Sequence, residues 1–160
     1  MNVDNVILHH AVSAFLSYEA ALLDRREFRA WFDLFDDDGL YWIPSSAEQT
    51  DMKNQVSIML EDRALLDMRV TRLAHPHAYS VEPRPATTHL VGNITVVQED
   101  ELVIANSKLI VEELREDVST RWSGTVQHRL RRRGAGFGIM LKRVDVIQAG
   151  GILPAVTIPL

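Results

Sequence analysis

Residues 88–148 read THLVGNITVVQEDELVIANSKLIVEELREDVSTRWSGTVQHRLRRRGAGFGIMLKRVDVIQ. Long runs rich in β-branched residues alternate here with turn-like breaks of a few residues. The runs cover residues 88–98, 102–114, 119–130 and 137–148. Because connections this short join antiparallel strands, this half of the chain predicts a meander of four long strands.

The residues before this stretch have helical periodicity instead. Apolar side chains recur every three or four positions, which predicts helices over residues 6–23, 28–35 and 61–73. An acidic turn over 36–39 ends the second helix, and a short strand follows over 40–43.

Helices first and strands second is the α+β pattern. In this pattern the apolar face of a curved, mostly antiparallel sheet packs against the helices. The chain has 160 residues, of which 46% are hydrophobic. This is enough to bury one sizeable core and too little to require two domains, so we predict a single domain over residues 1–160.

The composition excludes several kinds of function. The chain has no cysteine, which excludes disulfides, thiolate nucleophiles and iron–sulfur ligation in this chain. A net charge of −5 argues against a nucleic-acid partner, and the basic run over 129–133 is predicted to be a solvated or subunit-contacting strand end. Neither a signal peptide nor an apolar run of membrane-spanning length is visible, so we predict a cytoplasmic protein with no membrane partner.

Glu19 has an unusual position in the first helix. Projected at 100° per residue, it falls in the middle of the apolar stripe. Since burying an unpaired carboxylate would cost several kcal/mol, we expect Glu19 to pair with an arginine such as Arg26, Arg69 or Arg72.

Two groups of residues superficially match metal-binding patterns. His75, His77 and Glu82 are similar to the first half of the cupin motif, and such a set suits Fe(II) or Mn(II). Prolines, however, predict a loop over 75–85, whereas cupins present the motif on a strand. The acidic run over 36–39 lacks the alternating ligands and final glutamate of an EF-hand, so we interpret it as a turn. We therefore predict no metal site.

Several stretches, taken in order, resemble one known family. They are AFLSYEAALLD at 14–24, WFDLF at 31–35, YWIP at 41–44, EDR at 61–63 and THLVGNI at 88–94. Their succession resembles the β subunits of ring-hydroxylating dioxygenases of the benzoate, biphenyl and naphthalene type. The resemblance covers residues 10–148.

This resemblance implies a fold and a function. The fold would be the α+β cone of nuclear transport factor 2 and scytalone dehydratase. The chain would be a structural β subunit with no catalytic, cofactor-binding or metal-binding residues. Its partner would be a catalytic α subunit that holds a Rieske [2Fe–2S] cluster and a mononuclear Fe(II), and that dihydroxylates an aromatic ring with O2 and NAD(P)H-derived electrons. Three copies of the chain would form a trimer within a three-plus-three hexamer.

The end of the chain departs from the family pattern. Residues 150–160 are rich in Gly and Pro, and an exposed apolar tail would invite aggregation. We therefore expect this tail to be buried against a neighbouring subunit.

Two other hypotheses remain open for a chain of this fold. It could be a freestanding dehydratase or isomerase that uses His89, Tyr41 and Asp37 as acid/base residues, because His89 alternates with Val91 and would face inward. It could also be a non-catalytic oligomer that binds a small ligand. An enzyme requires an open cone with converging polar groups, whereas a scaffold can fill its cone with side chains.

Overall fold

The computed structural model of the chain describes residues 2–76 and 83–160. The first half contains helix α1 (Val3–Asp24), helix α2 (Phe28–Phe32), strand β1 (Phe35–Ile43), strand β2 (Met59–Glu61) and helix α3 (Arg63–Ala74). The second half contains strands β3 (Ala86–Glu99), β4 (Leu102–Arg115), β5 (Val118–Arg133) and β6 (Gly136–Val146). The predicted α+β order and the four long strands are confirmed.

The strands form one six-stranded sheet in the order β2-β1-β6-β5-β4-β3. The pairs β3–β4, β4–β5 and β5–β6 are antiparallel, as the short connections predict. Strand β1 then lies parallel to β6 and antiparallel to β2. This parallel pair joins the two ends of the chain, and the local pattern of the sequence did not predict it.

The acidic segment over 36–39 is not the turn that its sequence predicts. It lies within β1, and the pairing of β1 with β6 shifts register between Phe35 and Leu40. The carboxylate of Asp36 reaches Arg131 across the sheet, with 2.8 Å between Oδ2 and Nη1. A long-range ion pair and a strand irregularity therefore override the local turn preference.

Side-chain caps determine where α1 and α3 begin. Asn2 accepts a hydrogen bond from the backbone N–H of Asp4, and Asp62 accepts one from that of Leu65. Both residue types satisfy backbone donors that the first turn of a helix leaves unpaired. The predicted third helix starts two residues too early, because Glu61 belongs to β2.

The hydrophobic core lies between the helices and the inner face of the sheet. All three tryptophans are almost completely buried in the structure: Trp31, Trp42 and Trp122. Helix α1 is long and apolar enough to span a membrane, with a mean hydropathy of 1.4 over its most apolar window, of which 28% is buried. Its buried side chains include Val12, Leu16 and Glu19.

Helix α1 also covers the edge of β3, which is the outermost strand on one side of the sheet. The ring Nε2 of His9 lies 2.9 Å from the carbonyl oxygen of Ile94. The backbone N–H of His89 donates to Oδ2 of Asp24 at 3.0 Å. Side chains of one helix thus satisfy backbone groups of an edge strand, which would otherwise be available to pair with another chain.

Two glycines of the sheet provide a matched test of how tightly it packs. A Cβ atom at Gly124 would lie 2.1 Å from the backbone oxygen of Asp145, whereas a Cβ atom at Gly92 would meet nothing within 4 Å. We expect Gly124→Ala to lower the free energy of unfolding by about 1–3 kcal/mol because the strands must separate. We expect Gly92→Ala to leave the free energy of unfolding unchanged or to raise it slightly. Urea denaturation measures both, and equal effects would contradict this packing.

Candidate functional site

A buried carboxylate joins four elements inside the cone. Oε1 of Glu19 accepts hydrogen bonds from Nε1 of Trp31 at 3.0 Å and from Nζ of Lys142 at 2.6 Å. Its Oε2 atom lies 2.8 Å from Nε2 of His128. Glu19, His128 and Lys142 are each only 3% exposed. Helices α1 and α2 and strands β5 and β6 therefore meet at one polar group.

The prediction that Glu19 is buried and paired is confirmed, but the predicted arginine partners are wrong. Arg69 pairs with Glu61 on the neighbouring strand, and Arg72 is exposed. Arg26 donates to the carbonyl oxygen of Pro85. These three arginines lie at helix or turn positions from which their side chains do not reach Glu19. Side chains on the inner faces of β5 and β6 do reach it.

The sequence does contain a signal for the true partners. Strand residues two apart share a face, and His128 stands between Val126 and Leu130 at that spacing. In the same way Lys142 precedes Val144 by two positions. Val126, Leu130 and Val144 are all buried, so the same alternation predicts that His128 and Lys142 face inward.

The charges around Glu19 keep it ionised. Burial raises the pKa of this carboxyl, but electrostatic attraction by Lys142 and His128 and the hydrogen bonds of both side chains outweigh burial and hold the pKa well below its usual value. An ionised Glu19 and a cationic Lys142 compensate each other. The group is therefore a structural ion pair inside the core.

His89, one of the three acid/base candidates, is held by Asp24 at the end of α1. Its Nδ1 atom lies 2.6 Å from Oδ1 of Asp24, and Nε2 faces the carbonyl oxygen of Pro159 at 3.3 Å. Burial lowers the pKa of His89, and the contact with Asp24 offsets only part of this effect. An aspartate at the end of a helix gives no separate signal in the sequence, so this role of Asp24 was not predicted.

Tyr41, the second candidate, is held by the end of the chain. It is completely buried, and its hydroxyl oxygen accepts a hydrogen bond from the backbone N–H of Leu160 at 3.0 Å. Burial raises the pKa of the Tyr41 hydroxyl well above its usual value. A buried phenol that already accepts a backbone hydrogen bond is poorly placed to exchange protons with a substrate.

The tail thus closes the cone of its own chain. Ile158 and Leu160 are 4% and 0% exposed, and the side chain of Thr157 accepts a hydrogen bond from Arg115. The protein's own core buries Ile158 and Leu160, whereas Ile152 is fully exposed. Burial of residues 150–156 against a neighbouring subunit therefore stays a prediction.

Asp37, the third candidate, lies on the surface with its side chain fully exposed. It is next to Asp36 and Asp38, whose carboxylates both contact Arg131. Gly138 makes room for this contact, since a Cβ atom there would lie 1.9 Å from Oδ1 of Asp36. The structure therefore does not bring Asp37 together with His89 and Tyr41, and the acid/base hypothesis loses its converging groups.

The interior has little free space. Two cavities of about 10 Å³ each lie beside His89, one reaching Glu19 and the other reaching Pro159. Each is about the size of one water molecule. Within residues 2–76 and 83–160, no group of three or more His, Cys, Asp or Glu side chains could hold a metal ion. His77 and Glu82 of the cupin-like pattern lie outside the described residues.

The ion pair of Glu19 leads to a test by substitution. Glu19→Gln leaves the Lys142 cation buried without its counter-charge, so we expect the free energy of unfolding to fall by about 3–5 kcal/mol. Adding Lys142→Met removes the unpaired charge and should recover a large part of that loss. Urea denaturation of both variants at pH 7 gives the comparison. A double variant less stable than Glu19→Gln would contradict a charge-compensating role.

The same carboxyl predicts a pH dependence. Its pKa in the folded protein lies below the ordinary value of 4.5, so its contribution to stability is complete above pH 4.5 and is lost as the pH falls toward the folded value. We expect the wild type to lose about 1.4 kcal/mol per pH unit from this group in that range. The free energy of unfolding of Glu19→Gln should lack this part of the pH dependence. Glu48→Gln, which changes an exposed glutamate, should retain it.

Comparison with known proteins places this geometry in a family. The small subunit of 2-halobenzoate 1,2-dioxygenase from Burkholderia cepacia is 29% identical over 139 residues, covering 83% of this chain and 84% of the relative. The small oxygenase component of the p-cumate 2,3-dioxygenase system from Pseudomonas putida is 30% identical over 136 residues, covering 82% and 75%.

Solved structures share the fold. A structure of naphthalene 1,2-dioxygenase with indole bound superposes with a TM-score of 0.84 at 21% identity, covering 100% of this chain and 89% of that chain. The β subunit of benzoate 1,2-dioxygenase from Burkholderia mallei gives a TM-score of 0.75 at 21% identity, covering 92% and 95%. These likenesses confirm the predicted cone. The family model described as ring hydroxylating beta subunit matches residues 18–150, and the chain therefore belongs to the family of ring-hydroxylating β subunits.

Proposed function

We propose that the chain is the structural β subunit of a multicomponent aromatic-ring-hydroxylating dioxygenase. In this role it binds and scaffolds a catalytic α subunit, which dihydroxylates an aromatic ring with O2 and electrons derived from NAD(P)H. The observation that carries the proposal is the family match over residues 18–150. The similar proteins described as dioxygenase small subunits support it.

The redox cofactors belong to the α subunit in this proposal. A Rieske [2Fe–2S] cluster is ligated by two cysteines and two histidines, and the chain has no cysteine. The cluster and the mononuclear Fe(II) would therefore both be held by the partner. We assign no catalytic, cofactor-binding or metal-binding residue to this chain, which would act as one domain over residues 1–160.

The interior favours a scaffold over a freestanding enzyme. His89 is held by Asp24, Tyr41 accepts from the backbone of Leu160, and the two cavities beside His89 have the size of one water molecule. A substrate of aromatic size needs a pocket of about 300 Å³ or more. Clefts of about 350 and 360 Å³ lie beside Arg115 and beside Arg131, and neither is lined by His89 or Tyr41. The fixed polar groups instead stabilise the cone as a rigid body, which suits a subunit that positions another chain.

The proposed assembly is a hexamer of three β and three α subunits in the cytoplasm, without a nucleic-acid or membrane partner. The net charge of −5 fits the absence of a nucleic-acid partner. Within the hexamer, copies of this chain would form a trimer.

Co-expression with a candidate α subunit tests this proposal. We expect the two chains to co-purify, to elute as a three-plus-three complex by size-exclusion chromatography with light scattering, and to carry iron only when the α subunit is present. The chain purified alone should contain no iron. A stable oligomer of this chain that ignores every α subunit of matching type would overturn the proposal.

Tyr41→Phe serves as the matched control for the acid/base alternative. It removes the hydroxyl that accepts from Leu160 and keeps the ring. A scaffold with this change should lose stability but support the same turnover in the assembled complex at temperatures where it is folded. If the chain were instead a freestanding acid/base enzyme, its own turnover without an α subunit would fall by about 10²–10⁴-fold in Tyr41→Phe.

A further inference from the structure

Two buried polar atoms inside the cone have no hydrogen-bond partner among the described residues. They are Oγ of Ser107 on β4 and Nδ1 of His128 on β5. Ser107 is 2% exposed and His128 is 3% exposed. A buried polar atom without a partner is rare in folded proteins and calls for a physical explanation.

The two residues lie on the same inner face of neighbouring strands. Ala105 of β4 pairs with His128 of β5, and Ser107 pairs with Val126. Ser107 and His128 are therefore diagonal neighbours, with Cα atoms about 7–8 Å apart in such a pair. Both side chains line the cavity of about 10 Å³, which residues of α1 also line. This is about the volume that one water molecule requires.

The hydrogen-bonding needs of the two atoms are complementary. The ionised Glu19 carboxylate only accepts hydrogen bonds, so Nε2 of His128 must carry the proton of their 2.8 Å contact. Lys142 already balances the charge of Glu19. If His128 is neutral, its proton on Nε2 leaves Nδ1 as an acceptor, and the Ser107 hydroxyl supplies a donor. A molecule that fits between them must donate to the one and accept from the other.

We propose that this cavity is a binding site for one structural water molecule, which donates to Nδ1 of His128 and accepts from Oγ–H of Ser107. The water extends the Glu19 network to β4 and keeps His128 in one tautomer. The cavity is too small for an organic ligand, and the paired charges of Glu19 and Lys142 leave no net charge that would attract an ion. This inference does not depend on the proposed function.

A crystal structure of the full chain, alone or with its α subunit, provides the direct test. We expect one ordered water within about 3.2 Å of both Oγ of Ser107 and Nδ1 of His128. Histidine ¹⁵N NMR should show His128 with its proton on Nε2 and with Nδ1 unprotonated. An empty cavity, a larger molecule in it, or a proton on Nδ1 of His128 would each overturn the proposal.

Substitution of Ser107 tests the same site in solution. Ser107→Ala leaves room for the water on His128, whereas Ser107→Val fills the cavity and leaves Nδ1 without a donor. If the site holds water, the valine variant melts at a lower temperature than the alanine variant and its His128 ¹⁵N signals shift. If the cavity is dry, valine fills a void, and the valine variant melts at the higher temperature.

Ser123→Val is the matched control for the effect of valine in a strand. Ser123 pairs with Ile110, which lies on the outer face of the sheet and is 42% exposed. This change should leave the His128 signals in place. If Ser107→Val does not fold, the electron density of the wild type and of Ser107→Ala still tests the proposal. A structure of Ser107→Ala without water beside Nδ1 of His128 would contradict it.

Discussion

The ionised carboxylate of Glu19 is the constraint on which the rest of the cone depends. A charge this deep in the core is tolerated only where donors surround it, and here the donors come from α2, β5 and β6. Each donor is a side chain that reaches Glu19 only when its own element is correctly placed. The group therefore fixes the position of α1 over the sheet more specifically than apolar packing can, because apolar contacts tolerate small displacements and a buried ion pair does not.

The same logic explains why polar residues inside the cone do not form an active site. His89 and Tyr41 face inward, as in an enzyme of this fold, but each is held by a structural partner. Asp24 covers the edge of β3 and holds His89 at the same time. The interior thus has the polar residues that catalysis would use, arranged so that they connect helices, strands and tail. This arrangement suits a subunit that provides shape and leaves the chemistry to its partner.

Much of the fold could be predicted from the sequence because it follows local periodicity. The long strands alternate with a period of two, and Glu19 stands out because it interrupts a helical stripe. The prediction failed where distant residues decide the structure. Two of the three partners of Glu19, His128 and Lys142, lie more than 100 positions away. The segment over 36–39 becomes part of a strand through Arg131, and the parallel β1–β6 pair joins the first strand to the last. No local pattern reveals that the chain's own core receives Ile158 and Leu160 at the end of the tail.

The contacts of the tail also depend on the register of the whole sheet. Leu160 reaches Tyr41 on β1 across 119 positions of sequence, and Pro159 meets His89 on β3 across 70. Strands β1 and β3 are separated in the sheet by β6, β5 and β4. The tail can therefore reach both partners only where the three intervening strands are in register. Its docked position is a readout of a correctly assembled sheet.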